Sequence, residues 1–143
     1  MTVIKATVHS AISIVNAIAT GKGATLGISK DVNVEIETSH GKGITVEIGE
    51  RKVNSRLINR VIEKIVPKNT LSKTKLSILL DSEIPAGYGL KSSSAISTAV
   101  AMGCAKLFKP DMNDFEILRV GVDASIETKV SLTGAYDDAC ACY

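Results

Sequence analysis

A segment rich in glycine and serine, residues 79–95, contains the side chains with the clearest potential for chemistry. An apolar run leads into a loop with Gly87 and Gly89, and three consecutive serines then begin a predicted helix. Glycines let a backbone approach a ligand closely, and the free N–H groups of a helix N-terminus attract phosphate oxygens. The serine hydroxyls could cap the helix, contact phosphate or bind Mg²⁺, and Lys91 adds a cation. The pattern predicts either a phosphate-binding loop or a serine-capped helix after a tight turn.

This segment differs from the common nucleotide-binding motifs. A P-loop has adjacent Gly and Lys, whereas Leu90 separates Gly89 from Lys91 here. The dinucleotide fingerprint fails as well, because Ser92 occupies its third glycine position. Spacing alone therefore does not identify the ligand.

A second candidate group lies near the end of the chain. Asp137 and Asp138 follow Gly134 closely, and Glu127 precedes them near the end of a predicted helix. From the residues alone, they predict an acidic turn and a solvated charge at a helix end.

Elements that position these groups begin with strands. Residues 5–18 are rich in Ile, Val and Ala, and residues 31–38 and 44–48 alternate apolar with polar side chains. A glycine-containing turn joins the two alternating runs, so we expect them to form a β-hairpin. Residues 75–80 are a short apolar run that predicts a buried strand.

Helical signals dominate the remainder. Asn54 and Ser55 predict a cap for a helix that Pro67 ends; its apolar residues are Leu57, Ile58, Val61, Ile62 and Ile65. A second helix is expected over about residues 92–107, and a third from the capping box of Asn113 and Glu116 to about residue 129. Residues 131–143 predict a loop. This order favours an α+β fold, a strand-rich start followed by helices packed on a mixed sheet.

Composition excludes several functional classes. The 143 residues suit one domain, and 45% hydrophobic with 22% charged residues is typical of a globular protein. Aromatic residues at 3% and a net charge of +2 argue against nucleic-acid binding. No apolar run is long enough to span a bilayer, and no secretory signal is visible. Three cysteines without metal-ligand spacing favour a reducing cytoplasm.

The sequence also resembles a known family. PAGYGLKSSSA, at 85–95, resembles the second motif of the GHMP kinases, which include galactose, homoserine and mevalonate kinases. Together with residues 13–24 and 132–141, it looks like the archaeal shikimate kinase branch. The resemblance implies a fold shared with a ribosomal protein domain, ATP and Mg²⁺ as cofactors, and transfer of the γ-phosphoryl group to the 3-hydroxyl of shikimate.

This resemblance also implies roles for individual residues. Ser93 and Glu127 match the family's metal ligands, and Asp138 or Asp137 matches its catalytic aspartate, with Asp138 favoured by its spacing from Glu127. Asn16 and Lys22 lie where the family approaches its substrate. The nucleotide phosphates would be held by Pro85, Ala86, Gly87, Tyr88, Gly89, Leu90, Lys91, Ser92, Ser93, Ser94 and Ala95.

Two departures from the family pattern matter. Val8, His9, Ser10 and Ala11 replace the Ala-Pro-Gly start and the lysine of the first motif, and Lys91 replaces a glycine of the second. The third motif, which belongs to the C-terminal half, is absent. Residues 1–143 are therefore expected to be the N-terminal ATP-binding domain, without a C-terminal half that activity would need.

Two alternative functions remain open from the sequence. One keeps the kinase and changes the acceptor to another small alcohol, such as homoserine or mevalonate. The other is a non-catalytic RNA- or protein-binding domain of the same fold.

Overall fold

A five-stranded sheet with strand order β1-β2-β5-β3-β4 forms one layer of the molecule. The computed structural model describes residues 1–49, 51–52, 55–85 and 87–143. β3 runs parallel to β5, and the other neighbouring strands are antiparallel, so the sheet is mixed. The strands are β1 (Thr2–Val15), β2 (Ala24–His40), β3 (Gly43–Ile48), β4 (Arg51–Lys52) and β5 (Thr74–Ser82).

The predicted hairpin between residues 31–38 and 44–48 is wrong, although both runs are strands. β5 lies between β2 and β3 and forms hydrogen bonds with each. Leu76, Ile78 and Leu80 of β5 are buried, which the central place in the sheet explains. A parallel β3–β5 pair needs a long crossover, and the helical segment between these strands supplies it. Residues 75–80 are confirmed as a strand with one buried face.

Within the part of the chain that the structure describes, five helices follow or interrupt the strands: α1 (Arg56–Ile65), α2 (Lys68–Leu71), α3 (Ser92–Phe108), α4 (Asp114–Glu127) and α5 (Tyr136–Cys142). The three predicted helices are confirmed. Ser55 caps α1 by accepting a hydrogen bond from the Ile58 N–H, and Asn54 lies outside the described residues. The capping box of Asn113 and Glu116 is present at the start of α4.

The prediction of a loop over residues 131–143 is wrong for its second half, which is α5. Its signal was the acidic pair itself, because Asp137 and Asp138 stand in the first helical turn, where negative side chains are favourable. Gly134 and Ala135 have positive φ of 76° and 48°, which turns the chain into α5.

One face of the sheet is buried under the helices. α3 packs on β1 and β2, while α1 and α4 pack on α3. The shared core takes side chains from every layer, including Val8, Val34, Ile36, Ile62 and Val100. The predicted α+β fold is therefore confirmed. Among the described residues, no helix has the length and apolar character needed to cross a bilayer.

Candidate active site

A loop with unusual backbone geometry connects β5 to α3. Gly87 and Gly89 have positive φ of 85° and 72°, and so does Lys91, with φ 58° and ψ 30°. The fully buried Ser10 on β1 donates a hydrogen bond of 2.7 Å from Oγ to the Leu90 carbonyl oxygen. This bond fixes the loop against the sheet beside an irregularity in the β1–β2 register. Ala86 of the predicted phosphate loop lies outside the described residues.

The first turn of α3 has no side-chain cap. Lys91 is the N-cap residue, and it makes no capping hydrogen bond. Within the described residues, the predicted alternative of a serine-capped helix is thus not realised, which leaves the first N–H groups of α3 available to a ligand. A cavity of about 290 Å³, here called the loop cavity, opens at this helix end. Its lining includes Pro85, Gly87, Gly89, Leu90, Lys91, Ser92, Ser93 and Ser94.

A second cavity adjoins the first. It measures about 180 Å³ and is here called the acceptor cavity. Asn16, predicted to contact substrate, lines it together with Ser13 and Asp137. The two cavities have four lining residues in common: Lys91, Ser131, Ala135 and Asp138. A group bound in one cavity therefore meets a group bound in the other at these residues.

Asp137 and Asp138 occupy different surroundings despite being neighbours. Asp138 is buried, and both of its carboxylate oxygens are engaged: Oδ1 lies 2.9 Å from Thr25 Oγ1, and Oδ2 lies 3.1 Å from Lys91 Nζ. Asp137 is half-buried, and its Oδ2 also lies 2.9 Å from Thr25 Oγ1. Because a hydroxyl has one hydrogen, Thr25 can donate to only one of these carboxylates at a time.

Close backbone packing sets the position of both aspartates. α5 packs against β1 and β2. At Gly27 a Cβ atom would lie 2.7 Å from the Ala141 carbonyl oxygen, so only glycine permits this approach. At Gly23 a Cβ atom would lie 2.3 Å from Asp137 Oδ2. The absence of a side chain at Gly23 and Gly27 therefore lets α5 approach β2 and the turn before it, which places both carboxylates at the edge of the acceptor cavity.

Of the two predicted metal ligands, only one lines the loop cavity. Ser93 lines the loop cavity, but Glu127 forms ion pairs with Arg60 and Lys64 of α1. Hydrogen bonds from Lys64 and then Arg60 lower the pKa of the Glu127 carboxyl below its usual value. The described residues contain no cluster of three His, Cys, Asp or Glu side chains that could hold a metal ion.

Lys22, the other residue predicted to contact substrate, is exposed and does not line either cavity. Its backbone N–H instead forms a hydrogen bond with Thr20. Sequence reasoning missed Ser10, Thr25 and Ser131 as residues of the site. Ser10 lies in the segment aligned with the family's first motif, but neither that alignment nor the local pattern assigned a role to any of the three hydroxyls. The fold brings Ser10 to the glycine loop and Thr25 to the aspartates.

The sequence pattern of the GHMP kinases N terminal domain matches residues 56–143. The chain belongs to the GHMP kinase family. This match covers the glycine loop, both aspartates and all five helices, so it confirms the resemblance based on the loop motif. The fold class predicted from that resemblance is confirmed as well.

Curated relatives of this GHMP kinase chain are archaeal proteins named shikimate kinase. The one from Thermococcus kodakarensis is 38% identical over 142 residues, which is 97% of this chain and 52% of the relative. The one from Pyrococcus abyssi is 39% identical, with 94% of this chain and 50% of the relative covered. The chain thus spans about half the length of the curated relatives it matches.

Solved structures of GHMP kinases show the same fold at low sequence identity. Homoserine kinase from Cytophaga hutchinsonii superposes with a TM-score of 0.73 at 17% identity, over 98% of this chain and 45% of that one. A mevalonate kinase gives 0.70 at 18% identity, over 95% and 50% of the two chains. These similarities establish the architecture and leave the substrate undetermined.

Proposed function

We propose that the protein transfers the γ-phosphoryl group of ATP to the 3-hydroxyl of shikimate, forming shikimate 3-phosphate in the cytoplasm. The observation that carries this proposal is the meeting of the loop cavity and the acceptor cavity at Lys91 and Asp138. A phosphoryl group held in one cavity lies beside an alcohol held in the other. The archaeal relatives named shikimate kinase support this choice of alcohol.

The residues of the loop cavity fit a nucleotide triphosphate. Phosphoryl transfer depends chiefly on positioning and charge neutralisation. The uncapped N–H groups of α3, the backbone of Gly87 and Gly89, and the ammonium of Lys91 together present donors to the phosphate oxygens. Serine hydroxyls at the same helix end supply further donors. This concentration of donors supports ATP as the cofactor.

Oxygen donors for Mg²⁺ are also present in the loop cavity. Mg²⁺ keeps several waters and needs only one or two protein ligands besides the phosphates. Ser93 lines this cavity and presents a hydroxyl, with the hydroxyls of Ser92 and Ser94 beside it. Glu127 reaches such a site only when its ion pairs with Arg60 and Lys64 open. When bound, the metal would neutralise charge on the phosphates.

Asp137 is the residue that we assign as the base. It faces the acceptor cavity, and its Oδ1 has no hydrogen-bond partner among the described residues, whereas both oxygens of Asp138 are engaged. Asp137 takes the proton of the 3-hydroxyl, the alcohol oxygen forms a bond to the γ-phosphorus, and the bond from that phosphorus to ADP breaks. Asn16 lines the same cavity and can hydrogen-bond a hydroxyl of the alcohol.

The second half found in the relatives belongs to this proposal. This chain covers 52% of the Thermococcus kodakarensis protein, and we propose that a C-terminal half completes the site. The experiment therefore uses the product of the complete gene. ADP release is measured with ATP, Mg²⁺ and, separately, shikimate, homoserine and mevalonate. We expect turnover with shikimate alone, and an NMR spectrum of the product that shows phosphate on the 3-oxygen.

A variant pair tests the assigned base. Asp137→Asn should lower kcat roughly 10²- to 10⁴-fold, the usual contribution of a general base. Asp111→Asn changes an exposed aspartate outside both cavities and should leave kcat unchanged. Turnover with another alcohol would refute shikimate as the substrate. Tight RNA binding without nucleotide binding would instead support the non-catalytic alternative.

A further inference from the structure

Lys91 has a backbone conformation that suits glycine better than lysine. It is the third residue of the loop with positive φ, after Gly87 and Gly89. A side chain at such a φ meets steric resistance that glycine avoids. Residues held in this way gather at functional sites, where the surrounding structure holds them against the strain. The side chain of Lys91 therefore needs its own explanation.

That side chain points to the boundary between the two cavities. Lys91 Nζ lies 3.1 Å from Asp138 Oδ2, with 23% of the lysine side chain and 9% of the aspartate side chain exposed. Lys91 lines both the loop cavity and the acceptor cavity, and no other Lys or Arg among the described residues lines either of them. It is the cation nearest to where a phosphoryl group would pass between cavities.

We propose that Lys91 binds the phosphoryl group in transfer, and that Asp138 positions its ammonium for this task. This inference rests on the proposed function. Asp138 fixes Nζ from one side, and an ammonium has three N–H groups, so two remain for phosphate oxygens. The pair also carries no net charge, so an incoming triphosphate does not meet two uncompensated carboxylates. Asp137 stays on the acceptor side as the base.

A purely structural role makes a different prediction. If the ion pair only ties α3 to α5, removal of Lys91 lowers stability and weakens all nucleotides alike. If Lys91 contacts the transferred group, its removal weakens ligands that have a γ-phosphate and spares ADP. Because glycine adopts positive φ without steric strain, Lys91→Gly removes the side chain and the backbone strain together.

The chain offers a matched control. Lys129 also has a positive φ, 61°, but it is exposed and does not line either cavity. The variants Lys91→Gly, Lys91→Met and Lys129→Gly are made in the complete gene product. Affinities for ADP and for the β,γ-imido analogue of ATP are measured by calorimetry without any alcohol, and thermal unfolding is recorded for each.

We expect both Lys91 variants to bind the analogue at least 10-fold more weakly and ADP within 3-fold of the unaltered protein, with kcat lower at least 100-fold. Lys129→Gly should match the unaltered protein in its affinity for the analogue, its affinity for ADP and its kcat. Equal losses for both nucleotides, or no loss for either, would overturn the role of Lys91. Since no alcohol is present, a selective loss would support Lys91 even if shikimate proved not to be the acceptor.

Discussion

Two sets of ion pairs in this protein join lysine or arginine to a carboxylate in different surroundings. Lys91 and Lys64 are similarly exposed, at 23% and 21%. Their carboxylate partners differ: Asp138 lies between two cavities and is 9% exposed, whereas Glu127, which meets Arg60 and Lys64 between α1 and α4, is 39% exposed. Water and salt screen the second group, so its contribution to stability is small. Breaking the first group by removing one partner leaves a buried charge, which is costly. Burial of the carboxylate, rather than the residue types, distinguishes the pair of Lys91 and Asp138 from the group around Glu127.

The exposed Glu127 and the buried Asp138 also differ in their relation to the candidate site. Glu127 and Asp138 both matched family positions, and only Asp138 lies in the candidate site. Glu127 stands at the end of α4 and forms ion pairs with Arg60 and Lys64, and it does not line the loop cavity. Its metal-binding role stays a prediction that depends on rearrangement of its ion pairs.

The largest expected effect is on the buried pair. Asp138→Asn keeps the size of the side chain and removes its charge, so Lys91 loses its partner. We expect the free energy of unfolding to fall by about 3 kcal/mol, the low end for a broken buried pair, because the lysine is not fully buried. Guanidinium unfolding measures this change. Glu127→Gln is the exposed counterpart and should shift the midpoint far less; equal shifts would contradict the comparison.

A double variant sharpens this test. Lys91→Met together with Asp138→Asn removes both charges and should recover part of the stability that Asp138→Asn alone loses. Strict additivity of the two single changes would show that the two charges do not interact.

Two glycines give the next largest effect and separate stability from catalysis. Gly27→Ala places a Cβ against the backbone of Ala141, which cannot move without α5, and should cost about 1–3 kcal/mol of stability. Gly23→Ala places a Cβ against the end of the Asp137 side chain, which can rotate away. We expect Gly23→Ala to lower kcat while changing the free energy of unfolding less than Gly27→Ala does. Thermal unfolding measures stability, and ADP release measures kcat. If the same variant showed the larger loss in both assays, the separation of a stability role for Gly27 from a catalytic role for Gly23 would be refuted.

The smallest effect concerns acid and salt at the exposed cluster. The pKa of Glu127 is lowered in the folded protein, so its pairing stabilises the fold above the usual value of 4.5 and this contribution is lost as pH falls through the lowered pKa. The unaltered protein should therefore exceed Glu127→Gln slightly in Tm at pH 7 and low salt. The difference should shrink as the pH falls below 4.5, and it should also shrink in 1 M NaCl, where the Debye length is about 3 Å. A difference that grows as the pH falls would contradict this account.

Local signals predicted the helices well. The capping hydrogen bonds of Ser55 and Asn113, and the spacing of apolar residues in α1, depend on neighbours within a few positions. The loop that precedes α3 was also recognisable, because glycines and serines follow one another directly in the chain. Such features carry their physical cause within a short stretch.

Long-range arrangements were not predictable in the same way. Alternation identified β2 and β3 as strands and showed which side chains face inward, but it has no information about which strand lies beside which. Insertion of β5 between them depends on the crossover and on burial of its apolar side chains. α5 was missed because a short helix of small residues has weak propensity, and its packing on Gly27 comes from a strand more than a hundred residues earlier.

The amino-acid sequence by itself predicted strands within β1, β2, β3 and β5, the three longer helices, the glycine loop and the family, since each depends on local pattern or on a contiguous motif. It did not predict β4 or the first part of β2. Tertiary structure alone decided that Lys91 meets Asp138, that Thr25 lies between two aspartates, and that Glu127 turns to α1 instead. The physical reason is distance along the chain. Helix and strand periodicities relate residues only a few positions apart, whereas these contacts join residues far apart in the sequence. Packing of the sheet against the helices brings them within hydrogen-bonding range.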